Sequence, residues 1–206
     1  MTPFLSVQQL SLSRGDSPIC TDFSMHLLAG ECIHLLGTNG SGKTSLMQAL
    51  SGLLQPDAGT ITWRGACART GAHYCTHQDG LKAVWTVAEN LDWHLRLHGA
   101  VVPAGKRQQG LEKMRLDHLA DTPVAQLSQG QKRRCALLRL WLVPRPVWLL
   151  DEPFNALDTE GRDCLTGWIN EHTEQGGAVL FSSHSERPAQ LKLSREIRLT
   201  APESIT

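Results

Sequence analysis

The segment Gly37-Thr38-Asn39-Gly40-Ser41-Gly42-Lys43-Thr44 constrains this chain more than any other stretch. It fits the pattern G-x-x-x-x-G-K-[ST] at every fixed position. Its glycines let the backbone curl until successive N–H groups point inward, toward phosphate oxygens. Lys43 is placed to reach β- and γ-phosphates, and the Thr44 hydroxyl to sit on Mg²⁺. Such a loop has to follow a strand and open a helix. Cys32-Ile33-His34-Leu35-Leu36 is a short apolar run suited to a buried strand. Leu46, Ala49, Leu50, Leu53 and Leu54 recur at helical spacing and predict one apolar stripe after Lys43. The helix then turns the positive end of its dipole toward the anion.

Strand and helix patterns continue on both sides. Phe4 to Leu12 alternates like a strand, Arg14 to Pro18 and Gln55 to Gly59 read as turns, and Thr60 to Trp63 alternates again. From about Asp79 to Ala125 the pattern is helical. Thr86-x-x-Glu89 is a capping box that starts one helix toward His98, with a break between Val102 and Gly105. Val147 to Leu150 and Ala178 to Phe181 are buried-strand runs. Between them Leu165, Trp168, Ile169 and His172 share helical spacing, up to Gly176-Gly177. Buried strands alternating with helices predict a parallel sheet with crossover helices. No linker divides the chain.

Composition narrows the functions. The 206 residues are 41% hydrophobic, enough for a packed core. Lys+Arg and Asp+Glu both number 20, and this zero net charge argues against a nucleic-acid partner. No apolar run approaches the roughly 18 residues of a spanning helix. The opening Met-Thr-Pro-Phe-Leu-Ser lacks a basic region followed by an apolar one, so a cytoplasmic protein is expected. Cys20, Cys32, Cys67, Cys75, Cys135 and Cys164 form no Cys-x-x-Cys pair and read as small buried hydrophobes. His94 and His98 stand four apart on a predicted helix, as a metal or haem pair would; the competing reading is a partly exposed helix face. No direct haem site is evident.

Two further motifs carry chemistry. Val147-Trp148-Leu149-Leu150-Asp151-Glu152 delivers two carboxylates to the C-terminal end of a strand, where α/β sheets place ligands. Asp151 is the candidate for holding Mg²⁺, and Glu152 the candidate general base for the attacking water. Ser128-x-x-Gln131, within Leu127-Ser-Gln-Gly-Gln131, is a second capping box. It predicts an amphipathic helix with Leu137, Leu140 and Trp141 on one face, and its N-terminus is a ready anion site.

In order along the chain stand the phosphate loop, Gln78, Leu127-Ser-Gln-Gly-Gln131, Asp151-Glu152, Asn155-Ala-Leu-Asp158 and His184. This order resembles the ATP-binding cassette ATPases, from Leu10 to His184. The resemblance implies an α/β fold: a phosphate-loop NTPase core with a mostly parallel sheet, an antiparallel β subdomain and an inserted α-helical subdomain. It implies a single nucleotide-binding domain over residues 1–206, with the core at about 1–78 and 144–206 and the helices at about 79–143. ATP and Mg²⁺ are the implied ligands. Gly37, Thr38, Asn39, Gly40, Ser41, Gly42, Lys43 and Thr44 would hold the phosphates. Ser128, Gly130, Gln131 and Asp158 of a second copy would close over the same ATP in a head-to-tail dimer. Gln78 would sense metal and water, joining Thr44 and Asp151 at Mg²⁺, and His184 would contact the γ-phosphate. Arg14 matches the position that stacks on adenine; a guanidinium can stack on a π face, and a solvated surface arginine is the competing reading.

Thr76-His-Gln-Asp-Gly-Leu-Lys82 and Trp85-Thr-Val-Ala-Glu-Asn-Leu91 are similar to the partner-docking stretch of the ATP-binding subunits of cytochrome c maturation systems. So are Gln131-Lys-Arg-Arg134 and Leu149-Leu-Asp-Glu-Pro-Phe-Asn-Ala-Leu-Asp158. Thr76 and Asp79 depart from that pattern. The likeness implies a peripheral protein on the cytoplasmic face of the inner membrane. Its integral partners would be CcmB, CcmC and CcmD, with ATP hydrolysis driving haem export or release of the haem chaperone. A soluble cassette ATPase of another system, such as iron–sulfur assembly, and an importer or exporter subunit for a different substrate are the alternatives. A small-molecule kinase would need neither Ser128-Gln-Gly-Gln131 nor His184.

Overall fold

Residues 2–15, 17–65, 71–76, 78–184 and 187–199 are described by a computed structural model. Leu5–Arg14 (β1) folds back on Ser17–Leu27 (β2), with Arg14 opposite Ser17 at the tip. Cys32–Leu36 (β3) runs into the Gly37 to Thr44 loop, and Lys43–Leu50 (α1) follows. Ala58–Trp63 (β4) pairs antiparallel with β1 and completes a three-stranded sheet in the order β2-β1-β4. Ala72–Cys75 (β5) precedes Val87–Leu97 (α2), Ala104–Lys113 (α3) and Gln129–Leu142 (α4). Val147–Asp151 (β6), Thr159–Glu174 (α5), Ala178–Ser183 (β7) and Arg195–Arg198 (β8) follow.

These elements form two compact units. The first takes Met1–Thr76, Arg145–Pro153 and Ile169–Thr206, and the second His77–Pro144 and Phe154–Trp168. In the first, five strands stand in the order β5-β6-β7-β3-β8, every neighbouring pair parallel. β6 and β7 are buried throughout, which is why they read as unbroken apolar runs and not as alternating ones. Parallel pairing also sets their C-terminal ends side by side. Leu36 lies opposite Ser183, and Asp151 opposite Ser182. α1 packs on β6, and Leu5, Val7, Leu10 and Leu12 of β1 join Ile33, Leu35, Leu46, Leu50 and Leu149 in one core. Each fully buried side chain of this size contributes about 1.5–3 kcal/mol relative to exposure.

In the second unit, α2 starts at the expected capping box. Thr86 Oγ1 accepts from the Glu89 N–H at 3.1 Å, and Glu89 Oε2 accepts from the Thr86 N–H at 2.8 Å. α2 and α3 both pack on α4, and Trp168 stacks on Trp141 at 5.3 Å.

Several expectations are corrected. α1 ends at Leu50, so its stripe stops there, and Leu53 is 71% exposed. The break after α2 comes earlier than Val102, because Gly99 takes φ +59°; Gly105 lies inside the first turn of α3. α4 is not buried on one face alone. Arg133, Arg134, Cys135, Ala136, Leu137, Leu138, Leu140 and Leu142 are all buried, while Trp141 is half-buried. Cys20, Cys32, Cys75 and Cys135 are buried thiols and Cys164 is partly so, none in a disulfide among the described residues; Cys67 lies outside the described residues, as does His77. Burial pushes the Cys32 and Cys135 thiols up to about 12.

His94 is the largest departure. It is not on an exposed face but 7% exposed, edge-on to Trp93 at 5.2 Å, while His98 is the exposed C-cap of α2. Neither ring nitrogen of His94 has a hydrogen-bond partner among the described residues. Burial first, then the nearby Arg139 and His98, push its pKa down to about 4. The unfolded chain protonates His94 near its ordinary value, about 6.5. Between those values the unfolded state holds the extra proton, so this contribution is complete above about 6.5 and is lost as pH falls toward 4. The expected loss is up to about 3 kcal/mol. Urea melts at pH 7 and pH 5 should show it, with the loss reduced in His94→Phe; an equal loss in both proteins would contradict it.

Candidate active site

The loop from Gly37 to Thr44 is shaped by its glycines. Gly42 takes φ +92° at the N-cap of α1, and a Cβ there would stand 2.0 Å from Ile19 Cγ2. Neither the backbone state nor the space admits a side chain. Lys43 is buried at 6% exposure, and its ammonium donates to the Gly37 carbonyl at 2.8 Å and the Thr38 carbonyl at 3.1 Å. Ser41 Oγ is buried with no hydrogen-bond partner among the described residues. Gly37, Thr38 and Asn39 of the loop, with Ser183, His184 and Arg198 among others, line a cavity of about 590 Å³. An anion carrying several oxygens fits this set, and the N-terminus of α1 favours it.

Across from the loop, β6 ends in the acidic pair. Thr44 Oγ1 donates to Asp151 Oδ2 at 2.7 Å, and Asp151 is 1% exposed. A hydroxyl and one carboxylate, with phosphate oxygens to complete the sphere, suit Mg²⁺. Ser182 Oγ, 0% exposed, donates to the other carboxylate oxygen, Asp151 Oδ1, at 2.6 Å. It also accepts from the Glu152 N–H at 3.0 Å. Glu152 has φ +50°, a left-handed state that costs a non-glycine residue roughly 1–2 kcal/mol. That backbone turn brings Glu152 Oε1 to 3.9 Å from the Lys43 ammonium and Oε2 to 3.0 Å from His184 Nδ1. The first unit thus gathers Lys43, Thr44, Asp151, Glu152 and His184 around one mouth. Arg14 is exposed at the hairpin tip of the same unit.

The second unit gathers a different set. Ser128 caps α4, its Oγ accepting from the Gln131 N–H at 3.2 Å while Gln131 Oε1 accepts from the Ser128 N–H at 2.8 Å. A Cβ on Gly130 would stand 2.9 Å from the Ala156 carbonyl, so the chain around Ala156, itself at φ +62°, lies directly on the start of α4. Asp158 Oδ1 accepts from the Gly161 N–H at 3.0 Å, and Oδ2 pairs with Arg134, which also donates to the Met114 carbonyl at 3.1 Å. Burial alone would raise the Asp158 carboxyl; the Gly161 N–H and the Arg134 guanidinium hold it below its ordinary value. Gln78 is exposed in this unit. Its neighbour Asp79 carries an unforeseen interaction: Oδ1 meets Arg133 Nη1 of α4 at 3.3 Å, with both side chains nearly buried. Among the described residues no group of three or more His, Cys, Asp or Glu is arranged to hold a metal ion, and no helix is long and apolar enough to cross a membrane.

Sequence reasoning missed Ser182 and Arg134 as partners of the motif residues. Strand register would have pointed to Ser182, since it stands opposite Asp151. Arg134 had only its place in a basic cluster as a signal.

Comparison with known proteins agrees with this geometry. The sequence profile of the ABC transporter family matches residues 20–155. The "Cytochrome c biogenesis ATP-binding export protein CcmA" of Pasteurella multocida (strain Pm70) is 39% identical over 202 residues, 95% of this chain and 94% of that protein. The protein of the same name from Escherichia coli (strain K12) is 39% identical over 206 residues, 95% and 96% of the two chains. Among solved structures, an ATP-binding subunit of an ABC transporter superposes with a TM-score of 0.85 at 24% identity, covering 96% of this chain and 86% of its own. A putative ABC transporter ATP-binding protein from Pyrococcus furiosus gives 0.83 at 25% identity, covering 96% and 99%.

Proposed function

The chain belongs to the ABC transporter family, and from that premise we propose that it is the ATP-hydrolysing subunit of a membrane complex for cytochrome c biogenesis, coupled to haem export or to release of a haem chaperone. The observation that carries this is the convergence of Lys43, Thr44, Asp151, Glu152 and His184 at one mouth. It is joined by the near full-length likeness to the CcmA proteins.

The chemistry follows from the residues. Lys43 exchanges its two loop carbonyls for β- and γ-phosphate oxygens. Glu152 takes the proton of the attacking water as the new O–P bond forms. The bond from the γ-phosphorus to the bridging oxygen breaks, leaving ADP and phosphate. His184 orients Glu152 and faces the γ-phosphate. Thr44 and Asp151 would hold Mg²⁺, which would neutralise charge on the phosphates. Arg14 stacks on adenine. Ser128, Gly130, Gln131 and Asp158 of a second copy close the site head to tail.

The second unit supplies apolar surface for integral partners of the CcmB, CcmC and CcmD kind. Val84, Leu97 and Val101 are 83%, 60% and 99% exposed, and the Lys82 ammonium lies 5.7 Å from the centre of the Trp93 ring. Substitution between Gly80 and Trp85 tests the assignment. With all partners expressed, Lys82→Glu combined with Trp85→Ala should remove the chain from the membrane fraction and from detergent pull-downs, with ATP affinity within about two-fold. A parent protein that never joins the membrane fraction would overturn the reading.

A further inference from the structure

Glu152 takes a backbone state that its own sequence disfavours. A non-glycine residue avoids the left-handed region, and the residue before a proline is biased toward extended backbone. Glu152 precedes Pro153 and still takes φ +50°. The tether comes from the neighbouring strand. Ser182 stands opposite Asp151 in the β6–β7 register, and its buried hydroxyl makes two bonds of opposite sense. It donates to Asp151 Oδ1 at 2.6 Å and accepts from the Glu152 N–H at 3.0 Å.

We propose that Ser182 is a positioning residue for ATP hydrolysis: one hydroxyl clamps both members of the acidic pair, fixing the peptide between them so that the Glu152 carboxylate stays beside Lys43 and His184. Only a group that donates and accepts at once can do this in a fully buried place. The hydroxyl leaves Asp151 Oδ2 to Thr44, so the oxygen facing the phosphate loop and the oxygen holding the strand are kept apart. Without the hydroxyl, the Glu152 N–H loses its acceptor and the strained turn loses its hold. The carboxylate then leaves the place where water is attacked, while the phosphate loop keeps its own bonds.

This rests on Glu152 as the base, so the tests are read beside Glu152→Gln. Ser182→Val and Ser182→Thr have nearly equal volume and differ in the hydroxyl; Ser182→Ala is the small control. In the full-length chain, Val and Ala should lower kcat about 10- to 100-fold, with KM for ATP and the affinity for a fluorescent ATP analogue without Mg²⁺ within about three-fold. Thr should restore kcat to within about three-fold of the parent. Crystals of the nucleotide-free Ser182→Val chain should show Glu152 out of the left-handed region. Should Ala not fold, the Val and Thr pair decides alone. Equal kcat for Val and Thr, a loss of analogue affinity parallel to kcat, or Glu152 unmoved in Ser182→Val would each overturn the proposal. If Glu152→Gln retains turnover, the base assignment fails instead.

Discussion

Glu152→Gln is expected to bind ATP as tightly as the parent and to hydrolyse it at least about 100-fold more slowly. The substitution keeps shape and removes the negative charge, and with it the ability to take a proton. The amide remains within reach of His184, 3.0 Å away in the parent, and the Lys43 ammonium keeps both loop carbonyls. Binding and chemistry therefore separate. Phosphate release under single-turnover conditions, set against equilibrium binding of a fluorescent ATP analogue, reads both. Because hydrolysis is what would reopen a closed pair of copies, the variant should also elute at twice the monomer mass when ATP is present. Turnover within a few-fold of the parent would remove Glu152 from the role of base.

Lys43→Ala should act on the opposite side of that split, weakening ATP binding by about 100-fold or more. Two charge-assisted bonds to phosphate are each worth about 1.5–3 kcal/mol. Some of this is offset, because the ammonium also satisfies the Gly37 and Thr38 carbonyls. The net affinity is the difference between the two sets of bonds. Removing the side chain also leaves those carbonyls without their buried donor, so the loop itself loosens. Isothermal titration with ATP measures the change, and a dissociation constant within three-fold of the parent would contradict the phosphate role. Adenosine, which has no phosphate, should bind both proteins alike.

What could be read from the residues was chemistry that is local. The phosphate loop and the capping boxes at Thr86 and Ser128 each need only a few neighbours in sequence, and all have the expected form. Strands buried on both faces announced themselves by lacking polar residues. β8 could not be read, because Arg195-Glu-Ile-Arg198 is a charged edge strand held by pairing to β3. β2 was missed because its register against β1 is interrupted and Asp22 takes φ +55°, which scrambles alternation. In the site, Asp151 and Glu152 were legible as a pair, but the bridge through Ser182 depends on strand order. The same holds for His94. Helical period put it on α2, while only packing decided that its ring would be enclosed beside Trp93.

The contact between Asp79 and Arg133 carries a consequence for exchanging parts among relatives. The Asp79 carboxylate is enclosed with a guanidinium that belongs to α4. Taking away one member of an enclosed ion pair costs about 3–5 kcal/mol, far more than the loss of a surface charge. A chimera that imports a relative's loop at 78–82 while retaining this α4 would carry that cost at the junction. The loop and the helix are thus one heritable block, to be exchanged together.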